Sequence, residues 1–141
     1  MKKLTAASKK VLVLDTFSLI AFFYKEKSVE IIEKLFRNAG RKKIILFFNE
    51  INLGELYYRV WKDRNKEYAD ASLVEIKKLP ISLVAIDREF ILSAAVWKAK
   101  YRISYADAFV VETAIRNQAV IVTGDPEFAA VKEIKIRKLK K

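Results

Sequence analysis

The chain reads as an α/β domain built on a parallel sheet with helices on both faces. Two features predict this. Short continuous runs of β-branched residues and leucine recur along the sequence, as expected for strands buried on both faces. Segments with helical periodicity and recognisable caps separate them, which is the alternation that yields parallel strands and crossover helices. The first run is VLVL at 11–14, followed by a short helix from Thr16 to Lys25. Ser28 is placed to cap a helix reaching Asn38, with Gly40 ending it. Ile44–Phe48 is a second strand, and Asn49 caps a long helix to about Arg64. Its apolar stripe is Ile51, Leu53, Leu56, Tyr57, Val60 and Trp61.

Residues 66–78 form a further helix, Pro80 breaks it, and Ile81–Ile86 is a third strand. Asp87 caps a helix over 88–100, and Ser104 caps the next. Ala119–Val122 is a fourth strand, and Asp125-Pro126 opens a short helical turn, because proline suits the first helical position. Val131–Ile136 alternates charge with apolar residues, as an edge strand does. The 141 residues fit one domain, with a core over about 11–136 and a basic tail at 137–141. The aromatic residues Trp61, Trp97, Phe22, Phe23, Phe47, Phe48 and Phe109 fall in apolar stripes and are read as core, and Tyr57 and Tyr58 as core or dimer packing.

Four acids sit at the ends of these runs. Asp15 closes VLVLD, Asp125 closes AVIVTGD, Asp107 opens the helix SYADAFVVETAI, and Glu55 lies in INLGELYYRV. Each has a plain structural account. Asp15 and Asp125 can cap the helices that follow, Glu55 can pair with Arg59, and Ser104-x-x-Asp107 is a capping-box pattern. Those accounts do not explain why two acids stand at the carboxyl ends of parallel strands, where sites form in such folds. A group of oxygen donors there suits a hard divalent cation, and phosphodiester hydrolysis needs the charge neutralisation and water activation that such a cation supplies. Hydroxyls of Thr16, Ser18 and Thr123 stand beside these acids and can orient them. Glu50 lies five residues from Glu55, about 140° round a helix, and Glu112 is in the same relation to Asp107, so both are read as surface or salt-bridge residues.

Composition narrows the chemistry. There is no Cys and no His, which excludes disulfides, thiolate or imidazole metal sites, serine triads with a histidine base and histidine-based ribonuclease chemistry. A net charge of +11 points towards polyanionic partners or a lysine-rich solubilising surface. The opening MKKLTAASKKVLVLDTFSLIAFF superficially looks like a signal peptide, but Asp15 interrupts the apolar run and no small-residue cleavage site follows it. No segment reaches the length of a spanning helix, so the expected location is the cytoplasm.

The stretch VLVLDTFSLIAFFYKE resembles the opening of a PIN domain. FFNEINLGELYYRV is similar to the family's second acidic block, and ISYADAFVVETAIRNQAVIVTGDPEF resembles the third and fourth closely. The small size resembles VapC-type toxins of prokaryotic toxin–antitoxin pairs. The resemblance implies an α/β/α sandwich with a central parallel sheet and a ribonuclease dependent on Mg²⁺ or Mn²⁺. It implies a tRNA or rRNA target, a cognate VapB-type antitoxin and a homodimer. It carries the four family acids onto Asp15, Glu55, Asp107 and Asp125, as catalytic residues and metal ligands, and the preceding hydroxyl onto Thr123. Asn49 departs from the pattern, since Ser or Thr is common there.

Two rivals stand beside this reading. One is a non-catalytic RNA-binding or interaction module on the same fold. The other is a phosphotransfer domain with Asp15 as nucleophile, which Phe17 disfavours because haloacid-dehalogenase-type enzymes place a second Asp there.

Overall fold

A computed structural model describes residues 9–140. The lysines at positions 2 and 3 and the first eight residues of the signal-like opening lie outside the described residues. The sheet has five strands, β1 (Lys10–Leu14), β2 (Ile44–Asn49), β3 (Ser82–Val84), β4 (Val120–Thr123) and β5 (Lys135–Lys138), in the order β3-β2-β1-β4-β5. Every neighbouring pair is parallel. The helices are α1 (Thr16–Phe23), α2 (Val29–Gly40), α3 (Glu50–Asp63), α4 (Lys66–Lys78), α5 (Arg88–Lys100) and α6 (Tyr105–Asn117), and a short 3₁₀ turn spans Pro126–Ala130. None of these helices is long and apolar enough to cross a membrane.

The strand alternation sorts side chains into two cores. Leu12 and Leu14 of β1, with Leu46 and Phe48 of β2, pack against Leu19, Ile32, Leu35, Leu56 and Val60 of α1 to α3 and Ala69 and Ile76 of α4. Val13 and Ile121 face the other way, against Phe90 and Ala94 of α5 and the buried stretch Ala108–Val111 of α6. The result is a three-layer α/β/α sandwich. It also explains why β1 and β4 lack the polar alternation of a half-exposed strand: both faces are covered.

Strand order positions the site. From β1 the chain adds β2 and β3 on one side, then crosses back to add β4 and β5 on the other. The crevice between β1 and β4 is therefore the point where winding reverses, and connections leaving adjacent strands diverge there. Asp15 follows β1 and Asp125 follows β4 at this point.

Element bounds differ from expectation mainly at the sheet edges. β3 covers Ser82–Val84 rather than 81–86, because its partner β2 ends at Asn49 opposite Val84. β5 covers Lys135–Lys138 rather than 131–136, since it pairs only where β4 runs alongside, from Val120↔Lys135 to Thr123↔Lys138. The expected tail at 137–141 is thus ordered sheet in its first part, and Leu139 is buried with its N–H donating to the Thr123 carbonyl at 2.7 Å. Gly40 is the last residue of α2 rather than its terminator, and the left-handed turn falls on Lys42 at φ 60°.

The aromatic reading needs one correction. Trp61 is 44% exposed and Tyr58 is 54% exposed, because Leu56 and Val60 already carry the buried face of α3. Trp61 sits edge-on to Tyr57 at 5.8 Å, and Tyr57 is half-buried with its hydroxyl donating to Asp70 Oδ1 at 2.6 Å.

Gly124, between β4 and the 3₁₀ turn, has no room for a side chain: an added Cβ would fall against the Phe17 ring, with Cζ at 2.5 Å. Gly124→Ala is expected to cost about 1–3 kcal/mol through this overpacking. A melting temperature equal to wild type would show that the ring yields freely.

Candidate active site

Each acid reaches the β1–β4 crevice from a different element. Asp15 is the N-cap of α1, so its position is set by the switch from strand to helix. Its Oδ1 accepts from the Ser18 N–H at 2.9 Å and the Ser18 hydroxyl at 2.8 Å, and its Oδ2 accepts a short hydrogen bond from the Thr123 hydroxyl. The Thr123 Oγ1 in turn accepts from the Asp125 N–H at 2.9 Å. One buried hydroxyl therefore joins the acid after β1 to the acid after β4. Thr16 does the equivalent for α3, donating to Glu55 Oε1 at 2.5 Å. The expected Glu55–Arg59 pair is not formed among the described residues, and Glu55 turns towards Thr16 instead.

Asp107 lies in the first turn of α6, with its N–H donating to the Ser104 hydroxyl at 3.1 Å. This is half of the expected capping box. The carboxyl group faces the crevice, where it feels Asp15, Asp125 and Glu55. Asn52 ties α3 to α6 beside it, donating from Nδ2 to the Ala106 carbonyl at 3.2 Å, while its own Oδ1 is buried without a partner.

Glu127 is an acid the sequence reading passed over. Its N–H donates to Asp125 Oδ1 at 2.9 Å, so the 3₁₀ turn curls it back towards the same mouth. Oxygens of Asp107, Asp125 and Glu127 lie within 4.8 Å of one another. Asp15 and Glu55 border this group without belonging to its tightest part. The signal in the sequence was the D-P-E triplet: a proline turn capped by Asp125 brings the second acid round to the first.

Glu112 is a different case. It is buried, accepts from Trp97 Nε1 at 2.7 Å and pairs with Arg116 Nε at 2.6 Å, and it clamps α5 to α6 away from the crevice.

Among the described residues, no lysine or arginine forms an ion pair with Asp15, Glu55, Asp107 or Asp125. Asp107 responds most: burial first, then the charges of Asp15, Asp125 and Glu55, push its carboxyl up to about 8. Burial also raises Asp15, to about 6, although the hydrogen bonds from Thr123 and Ser18 pull it down. Such a set of oxygen donors, held close and uncompensated, fits a hard divalent cation of the Mg²⁺ or Mn²⁺ type and does not suit a soft metal.

The sequence matches the PIN domain family over residues 12–134. The chain belongs to the PIN domain family. No curated protein matches this PIN domain closely enough to count as a relative. Solved structures with the same fold include a chain of VapBC2 from Rickettsia felis bound to a fragment of its promoter DNA. It is 19% identical at a TM-score of 0.72, covering 92% of this chain and 99% of that one. DNA-bound VapBC from Salmonella typhimurium is 20% identical at 0.72, covering 92% and 98%. VapC20 of Mycobacterium tuberculosis, a toxin that cleaves the sarcin–ricin loop, is 14% identical at 0.71, covering 89% and 98%.

In this PIN domain Thr123 is the hinge of the acid arrangement. Thr123→Val keeps the shape but removes the donor to Asp15 and the acceptor for the Asp125 N–H. Losing both is expected to cost about 1–3 kcal/mol in urea unfolding, with Thr123→Ser largely restoring it. Wild-type stability in Thr123→Val would show that these bonds do not hold the acids in place.

Proposed function

We propose that this PIN domain is a divalent-metal-dependent endoribonuclease, acting in the cytoplasm as the toxin of a VapBC-type pair. The observation that carries the reading is the uncompensated carboxylate group at the β1–β4 crevice, with Asp107 pushed up to about 8 by burial and by its acidic neighbours. Likeness of fold to VapC20 and to chains of VapBC complexes supports the toxin assignment.

The roles follow from position. Asp15, Asp107 and Asp125 hold Mg²⁺ or Mn²⁺, Glu55 completes the site as ligand or water-orienting base, and Glu127 joins them at the exposed rim. A divalent cation held there supplies charge neutralisation at the phosphate and activation of water. The chain's own contribution is orientation. Ser18 and Thr123 fix both oxygens of Asp15, and Thr16 fixes Glu55, so the acids meet an incoming phosphodiester in a set geometry. Water is the nucleophile and no covalent intermediate forms. RNA, tRNA or rRNA in this reading, is the substrate, and the net charge of +11 favours its approach. A VapB-type antitoxin and a second copy of the chain are the partners the same reading assigns.

The test is cleavage of a mixed tRNA and rRNA pool by the purified protein in Mn²⁺, Mg²⁺ or EDTA. Discrete fragments that require metal are expected, with Asp15→Asn and Asp107→Asn reducing the rate at least a hundredfold (each removes one charge and little volume), on the order of what a positioned catalytic group contributes. Full activity in either variant would sink the four-acid site.

A further inference from the structure

Beside the acids lies a groove of about 510 Å³ lined by Gly124, Pro126, Lys138, Leu139 and Lys140. Gly124 and Pro126 flank Asp125, so the groove opens next to the carboxylates. Its outer wall is built by β5. Lys138 stands in register with Thr123, the residue that links Asp15 to Asp125. Leu139 is buried and hydrogen-bonded to the Thr123 carbonyl at 2.7 Å. Its neighbours Lys138 and Lys140 are both exposed.

A second groove, of about 560 Å³, is lined by Phe17, Lys25, Glu26 and Lys27 on the turn after α1. The two adjoin where the Phe17 ring lies against Gly124. None of these four lysines forms an ion pair among the described residues. Lysines that form no ion pair among the described residues thus line both grooves, with Glu26 between Lys25 and Lys27 on the turn after α1.

We propose that Lys138 and Lys140 on one side, and Lys25 and Lys27 on the other, hold the RNA phosphates flanking the scissile one, so that the strand runs across Asp125 from the β5 groove to the α1 turn. This rests on the reading of the acids as a nuclease centre. It answers a problem that centre creates: a polyanion must approach a cluster of carboxylates, and cations at the rim supply attraction where the cluster itself repels.

The experiment measures binding of a fluorescent single-stranded RNA oligonucleotide to the full chain carrying Asp107→Asn, over a series of salt concentrations. Adding Lys138→Ala with Lys140→Ala is expected to weaken binding several-fold. The slope of log affinity against log salt should shrink by roughly 1 to 2, about one phosphate contact per lysine. Lys138→Arg with Lys140→Arg should restore both quantities. Lys43→Ala with Lys77→Ala, just before β2 and in the last turn of α4, should change the slope by less. Equal effects of the two lysine pairs would overturn the proposal, leaving only diffuse attraction. Cleavage by the chain with Asp107 intact is read separately. Binding that depends on Lys138 and Lys140 without any metal-stimulated cleavage would retain the track and contradict the nuclease reading.

Discussion

Like charges held close in a poorly hydrated crevice repel one another, and the structure is arranged around keeping such charges together. Asp15 and Asp107 are both buried, and both carboxyls sit above their ordinary range because burial disfavours the charged form. Left to themselves these side chains would rotate apart or draw in a lysine. Neither happens, because the hydroxyls of Ser18 and Thr123 hold Asp15, the Thr16 hydroxyl holds Glu55, and α6 presents Asp107 from a helix whose inner face is wholly buried. The large apolar cores on either face of the sheet offset the electrostatic cost. A fold that spends stability in this way at one place is commonly a fold with a function there.

The topology makes the convergence possible. A parallel sheet brings all strand ends to one side, and reversal of winding between β1 and β4 leaves an open crevice between their exits. Helices α3 and α6 enter that crevice from opposite faces of the sheet, bringing Glu55 and Asp107 to acids that belong to the strands. The short 3₁₀ turn adds Glu127 from the exposed side. Apart from Asp125 and Glu127, which share one turn, these residues are far apart in sequence and the sheet supplies their proximity.

Much of this was legible in the sequence because the relevant signals are local. VLVL and IILFF read as buried strands, Asn49, Asp87 and Ser104 cap the helices that follow them, and Asp15, Asp107 and Asp125 stand where a helix or turn begins, with Glu55 inside α3. What was not legible depends on partners. The extents of β3 and β5 are set by how far β2 and β4 run beside them, which no local pattern encodes. Trp61 looks like core in a list of apolar positions, yet one helical step from Val60 carries it to the surface. Glu127 joins the group through a turn that bends it back, and Glu112, readable as a surface or salt-bridge acid, makes its salt bridge with Arg116 from a buried position beside Trp97.

If the acids form a metal centre as proposed, Asp107 resists ionisation until a cation joins the cluster. The most direct measurement is the titration of its side-chain carboxyl by carbon-13 NMR, in EDTA and again in saturating Mg²⁺. The account predicts a midpoint near the value of about 8 that its surroundings impose when metal is absent, falling well into the acidic range when Mg²⁺ is present. An ordinary carboxylate midpoint that Mg²⁺ leaves unmoved would contradict it.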